Sequence, residues 1–140
     1  MYEIYLNVYD LPEQTATNNA LSSVGLGLYH SGVEFSGAEY SFSAQGVSRT
    51  APCLPEFGVL RERLLMGSYH GTKSDFESIL NTLRSGEFRP RQYDLVHRNC
   101  NHFSDALCVA TVGAKIPAWV NRASSIGNAG TLLYIHYASF

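Results

Sequence analysis

The sequence predicts an α+β fold in which an antiparallel β-meander packs against helices. Three observations carry that expectation. Residues 2–9, YEIYLNVY, alternate with period two and are rich in aromatic and branched side chains, as a strand requires. Between Gly25 and Phe42, short apolar runs are separated by Ser-Gly pairs. Residues 73–86, and those following Asn99, instead carry apolar side chains at helical spacing.

In the first strand Tyr2, Ile4, Leu6 and Val8 form one face, and Glu3, Tyr5, Asn7 and Tyr9 the other; Asp10-Leu11-Pro12 ends it. Residues 13–24 are small and polar and fit a loop or a short helix. The meander is expected as strands 26–30, 33–35 and 38–42, with turns at Ser31-Gly32 and Ser36-Gly37, because small-plus-Gly pairs punctuate hairpins. Residues 43–58 hold Gly46, Pro52, Pro55 and Gly58 around Cys53 and predict an irregular loop; residues 59–69 predict a strand, with a short helix as the alternative. Thr72 and Asp75, like Ser74 and Glu77, have capping-box spacing. Phe76, Ile79, Leu80 and Leu83 then form a stripe closed by Gly86. A second helix starts near Asn99, with Cys100, Phe103, Leu107 and Ala110 on one side and Gly113 at its end. A third is expected over 116–127, with Pro117 in its first turn. The tail at 132–137 fits a strand or a helix end.

The 140 residues make one domain, 1–140. A net charge of −2 argues against general binding to nucleic acid or an anionic membrane, both of which attract net positive charge. No window approaches the ~18 uninterrupted apolar residues of a membrane span, and the first residues lack the pattern of a signal peptide. Three cysteines, Cys53, Cys100 and Cys108, are too few and too odd for a disulfide framework, so reduced thiols in an intracellular protein are expected.

Chemistry concentrates at Arg98-Asn99-Cys100-Asn101-His102-Phe103. A cysteine in the first turn of a helix feels unpaired N–H groups and the positive end of the helix dipole, and both favour the thiolate. Asn99 suits the N-cap. Asn101 fits either a helper of an oxyanion or a residue that favours the helix start. A nucleophile needs a base, and His30, His70, His97, His102 and His136 are the candidates. His102 lies about 200° around the helix from Cys100, so the two side chains diverge. His30 ends a strand expected in the sheet. A thiolate beside an imidazolium would titrate as a pair, the thiol lowered and the imidazole raised. Glu39 or Ser41 could orient the imidazole, although Glu39 equally suits a solvent-facing position. Trp119 reads as a packing residue. His97, Cys100 and His102 do not make a zinc site with Cys108, which lies about 12 Å further along the helix.

VYDL at 8–11, GLGLYHSGVEF at 25–35, EYSF at 39–42, NCNHFSDAL at 99–107 and IPAWVNR at 116–122 together resemble the PPPDE family of permuted papain-fold peptidases, in the desumoylating isopeptidase type 2 and deubiquitinase-like branch. The likeness runs from about residue 3 to 128; the tail 129–140 lies outside it. It implies a permuted papain-like cysteine peptidase fold, with the nucleophile on a helix packed against the meander. It also implies a His30–Cys100 catalytic dyad; Asn99 and Asn101, from their place at the helix start and not from the resemblance, are the auxiliary or oxyanion candidates. The implied activity is cleavage of ubiquitin or SUMO from lysine, with no cofactor, no metal and no nucleic-acid partner, in the cytoplasm or also the nucleus. A homodimer is left open. Removal of S-acyl groups from cysteine, and a non-catalytic binding module, are the rival expectations.

Overall fold

In the computed structural model, residues 1–22 and 26–125 are described. The tail, His136 and the end of the third expected helix lie outside them. Five strands form one antiparallel sheet in the order β4-β3-β2-β1-β5, from β1 (Tyr2–Asp10), β2 (Tyr29–Phe35), β3 (Ala38–Ser43), β4 (Gly46–Thr50) and β5 (Val59–Tyr69). Three helices, α1 (Thr15–Leu21), α2 (Lys73–Ser85) and α3 (Cys100–Val112), complete the α+β architecture. None is long and apolar enough to cross a membrane.

β1 lies inside the sheet, paired with β2 from Ile4↔Phe35 to Asp10↔Tyr29 and with β5 on its other side. Its Ile4, Leu6 and Val8 enter the main core with Val33, Phe35, Tyr40, Phe42, Phe76, Leu80, Phe103 and Leu107. The other face of β1 is also covered, so Asn7 and Tyr9 are buried as well. α3 packs across β2 and β3. Phe76 of α2 stacks on Phe35, ring centroids 3.8 Å apart and planes 10° from parallel. Both expected helix starts are capped. Thr72 Oγ1 accepts from Asp75 N at 3.0 Å, and Asp75 Oδ2 accepts from Thr72 N at 2.9 Å. At the end of α3, Gly113 adopts a left-handed conformation, φ 69°.

Three elements differ from expectation. Ser31-Gly32 is no turn: β2 runs straight through it, pairing Ser31 with Val8 and Gly32 with Asn7. This glycine serves close approach instead, since a Cβ there would sit 2.5 Å from Glu39 Oε2. Ser36-Gly37 is the real hairpin loop, with φ of 47° and 79°, between the paired Phe35 and Ala38. Second, the expected loop at 43–58 contains β4, whose Val47, Ser48, Arg49 and Thr50 form a polar edge strand held by backbone pairing with β3. Its lack of an apolar face removes the periodic signal. Third, the expected helix at 116–127 is two 3₁₀ turns, Ala118–Val120 and Arg122–Ser125, as far as the chain is described. Residues 13–24 do contain the short helix α1.

Candidate active site

Cys100 is the first residue of α3, and the sequence around it builds the turn that holds it. Asn99 is the N-cap: its Oδ1 accepts from Asn101 N at 2.9 Å and from His102 N at 3.0 Å. His102 returns the bond, its Nδ1 accepting from Asn99 N at 3.0 Å. This is a capping box with an imidazole in the place usually held by a carboxylate or amide. His102 Nε2 lies 3.2 Å from the Asn121 amide. Nδ1 is thereby committed to the cap, and burial first of all lowers the imidazole pKa.

Asn101 ties this turn to the sheet on both sides of His30. Its Nδ2 donates to Tyr29 O at 3.2 Å, and its Oδ1 accepts from Ser31 Oγ at 2.6 Å. Ser31 Oγ also lies 2.8 Å from Ser104 Oγ on α3. Asn101 Nδ2 further reaches Val120 O and Asn121 Oδ1, both at 3.3 Å. Asn121 Oδ1 additionally accepts from Asn99 Nδ2 at 2.9 Å. The backbone at His30 is therefore fastened to the first turn of α3 through one buried side chain. Asn18 of α1 fastens the approach to β2: its Oδ1 accepts from Leu28 N at 2.7 Å, and its Nδ2 donates to Leu28 O at 3.0 Å.

Cys100 is buried, clustered with Leu11, Leu28 and Ala123, with Tyr93 and Leu95 packed against them. Its Sγ lies 3.8 Å from Asn101 Oδ1. The thiol does not stand at an open site mouth: the apolar cluster covers it. Cys53 is exposed, whereas Cys108 is buried and desolvation pushes its thiol up to about 12. The Tyr93 phenol is pushed up by burial and by the neighbouring Cys100. Beside the site runs a cleft of about 230 Å³ lined by Ser22, Tyr29, Arg61, Glu62 and Trp119. The Trp119 ring meets Tyr29 edge-on at 5.1 Å, so this packing residue also forms a cleft wall.

The imidazole of His30 stacks on Phe57, centroids 5.0 Å apart, and lies 5.7 Å from the Tyr9 ring. Burial pushes it down to about 4, opposite to the raised value that a resting thiolate–imidazolium pair implies. At neutral pH the ring is a neutral base. A folded-state pKa below the unfolded value means that the unfolded chain binds the proton more readily. Stability is then retained above about pH 6.5 and lost as pH falls towards 4. We expect His30 to account for about 2 kcal/mol of stability lost between pH 7 and pH 5, and His30→Gln to remove that slope from urea denaturation curves.

Glu39, one of two expected orienting residues, is fully buried rather than solvent-facing, bonded to Asn7, Tyr9 and Cys53 N. Ser41 Oγ meets Ser48 Oγ at 3.3 Å. His97 is exposed and pairs with Asp94 at 3.3 Å, and His70 is exposed. Sequence reasoning missed Asn121, Ser31 and Tyr93. Asn121 stands in IPAWVNR, and its distance in sequence from Cys100 hid the contact. Asn121→Ala should cost about 1–2 kcal/mol in a thermal or urea melt, because it leaves the buried Asn99 amide short of one acceptor.

Comparison with known proteins adds a family. The profile described as "PPPDE putative peptidase domain" matches residues 2–136. A DeSI-like protein of Arabidopsis thaliana is 36% identical over 130 residues, covering 89% of this chain and 56% of that protein. The DeSI-like protein sdu1 of Schizosaccharomyces pombe is 38% identical over 132 residues, covering 89% and 65%. Desumoylating isopeptidase 1 of Homo sapiens is 28% identical over 123 residues, covering 86% and 73%. The chain thus spans about half to two thirds of the length of the first two relatives.

Proposed function

Because the chain belongs to the PPPDE peptidase domain family, we propose that it is a cysteine isopeptidase that releases SUMO, or ubiquitin, from lysine side chains of conjugated proteins. The observation that carries this reading is Asn101, which bonds to both neighbours of His30 while following Cys100 directly in the chain. The names of the relatives, desumoylating isopeptidase among them, favour SUMO conjugates as substrates.

In the proposed reaction Cys100 Sγ attacks the carbonyl carbon of the isopeptide bond and neutral His30 takes the thiol proton. His30 returns that proton to the lysine nitrogen as the C–N bond breaks. Water then hydrolyses the thioester, leaving the modifier with a free carboxylate and the thiol restored. Asn99 and Asn101 are auxiliary, keeping the nucleophile's turn in register with β2. His102, committed to the cap, is not the base. The reaction calls for no cofactor, and a cytoplasmic or nuclear setting would supply such conjugates.

The test is covalent capture by SUMO and by ubiquitin carrying a C-terminal vinyl sulfone. The expected adduct sits on Cys100, with Cys53 and Cys108 unmodified on peptide mapping. An adduct spread over Cys53, or none with either probe, would count against the reading.

A further inference from the structure

A second polar cluster lies beside His30, and Glu39 is its centre. This carboxylate is fully buried, and among the described residues its bonded partners are all neutral. Tyr9 Oη donates across both of its oxygens, at 2.7 and 2.8 Å. Asn7 Nδ2 donates to Oε1 at 2.5 Å, and the Cys53 N–H to the same oxygen at 3.2 Å. Burying a carboxylate is expensive unless donors surround it. The fold even omits a side chain to make room, since Gly32 leaves free the space over which Glu39 lies.

Two of these bonds lead to the groups that touch His30. Tyr9 pairs with His30 across β1 and β2, and its ring lies beside the imidazole. Cys53 begins the short segment that ends in Phe57, the ring stacked on the imidazole's face. Cys53 holds a left-handed conformation, φ 61°. At the far end, Gly58 has φ 113°, and a Cβ there would fall 1.9 Å from Asp10 O. The segment is therefore pinned at one end by Glu39 and at the other by the end of β1.

We propose that Glu39 is a positioning residue for His30: through Tyr9 and the Cys53 backbone it fixes the two mutually packed rings, Tyr9 and Phe57, against which the imidazole lies, and keeps it in one orientation. The inference rests on His30 being the base of the proposed isopeptidase. The charge of Glu39 is not what acts; the donors it orders are. Misplacing a catalytic group by about 1 Å costs up to roughly 100-fold in rate, so a loosened clamp should show in turnover.

Tyr9→Phe keeps the ring and removes only the hydroxyl that docks on Glu39. Glu39→Gln keeps an acceptor, and Glu39→Ala keeps none. With a SUMO–lysine isopeptide substrate, assayed well below each variant's melting temperature, we expect kcat to fall about tenfold in Tyr9→Phe with KM within twofold. Glu39→Gln should lose less than Glu39→Ala. Long-range ¹H–¹⁵N spectra should show one imidazole tautomer for His30 in the parent protein and exchange-broadened signals in the variants. Wild-type kcat and an unchanged His30 spectrum in both Tyr9→Phe and Glu39→Gln would overturn the proposal, even if both melt at lower temperature. His30→Ala is measured alongside: if it retains turnover, the isopeptidase assignment of His30 fails instead, and the two failures stay distinguishable.

Discussion

Cys100→Ser and His30→Ala should each reduce release of SUMO from a lysine conjugate by at least ~10³-fold, the loss typical when one member of a nucleophile–base unit is removed. The fold should survive both changes. Serine at 100 keeps nearly the same volume within the cluster of Leu11, Leu28 and Ala123. Alanine at 30 empties a space beside Phe57 and Tyr9 but leaves the β1–β2 ladder intact. His102→Ala should behave differently. It removes the reciprocal cap bond to Asn99 N and so lowers stability by about 1 kcal/mol, while leaving most turnover. Initial rates on a fluorescent conjugate, with circular dichroism as the folding control, separate these outcomes. Abolished activity in His102→Ala with near-normal activity in His30→Ala would transfer the role of base to His102.

The largest expected loss of stability comes from Phe76→Ala, about 3–5 kcal/mol. Phe76 is fully buried, lies flat on Phe35 at 3.8 Å, and meets Tyr40 and Tyr69 at centroid distances of 5.3 and 6.2 Å. Through it α2 packs on rings of β2, β3 and β5. The hole left by truncation is walled by rings already engaged with one another, so it cannot collapse. Urea denaturation monitored by tyrosine fluorescence would read the shift. Phe76→Leu, which fills most of the volume, should recover more than half of it.

How far the sequence revealed this arrangement differs from element to element. β1, α2 and α3 were legible because each keeps one period over nine or more residues, whereas β5, whose pairing with β1 shifts register twice, left a short helix open as the alternative. The α2 cap was visible as residue types at fixed spacing, and the α3 cap through Asn99 alone, without the returning bond of His102. β4 was hidden, since a polar edge strand satisfies its neighbour's backbone without needing an apolar face. Ser31-Gly32 misled for a related reason: a glycine that frees a turn and a glycine that makes room for a neighbour's side chain look identical in one dimension. At the site, Cys100 stood out through its place at a helix start, and His30 through family resemblance more than through spacing. Asn121 and the Glu39–Tyr9 cluster depend on contacts between residues about 20 and 30 positions apart, which no local pattern announces. The neutral state of His30 was likewise out of reach, because it follows from three-dimensional burial.

The continuity of β2 has a consequence for motion. Had Ser31-Gly32 formed a turn, His30 would stand at a loop tip, free to swing on the nanosecond timescale of loops. Instead His30 is paired to Tyr9 of β1, itself flanked by β5. Such interior strands open only in the highest-energy, near-global fluctuations of a domain, while chain ends and loops open cheaply. On the proposed reading, the adjustment that admits a substrate comes from the cover over Cys100, around Leu11 and Ala123. If His30 and Cys100 act as proposed, the base is the fixed reference and the nucleophile's surroundings are what yields.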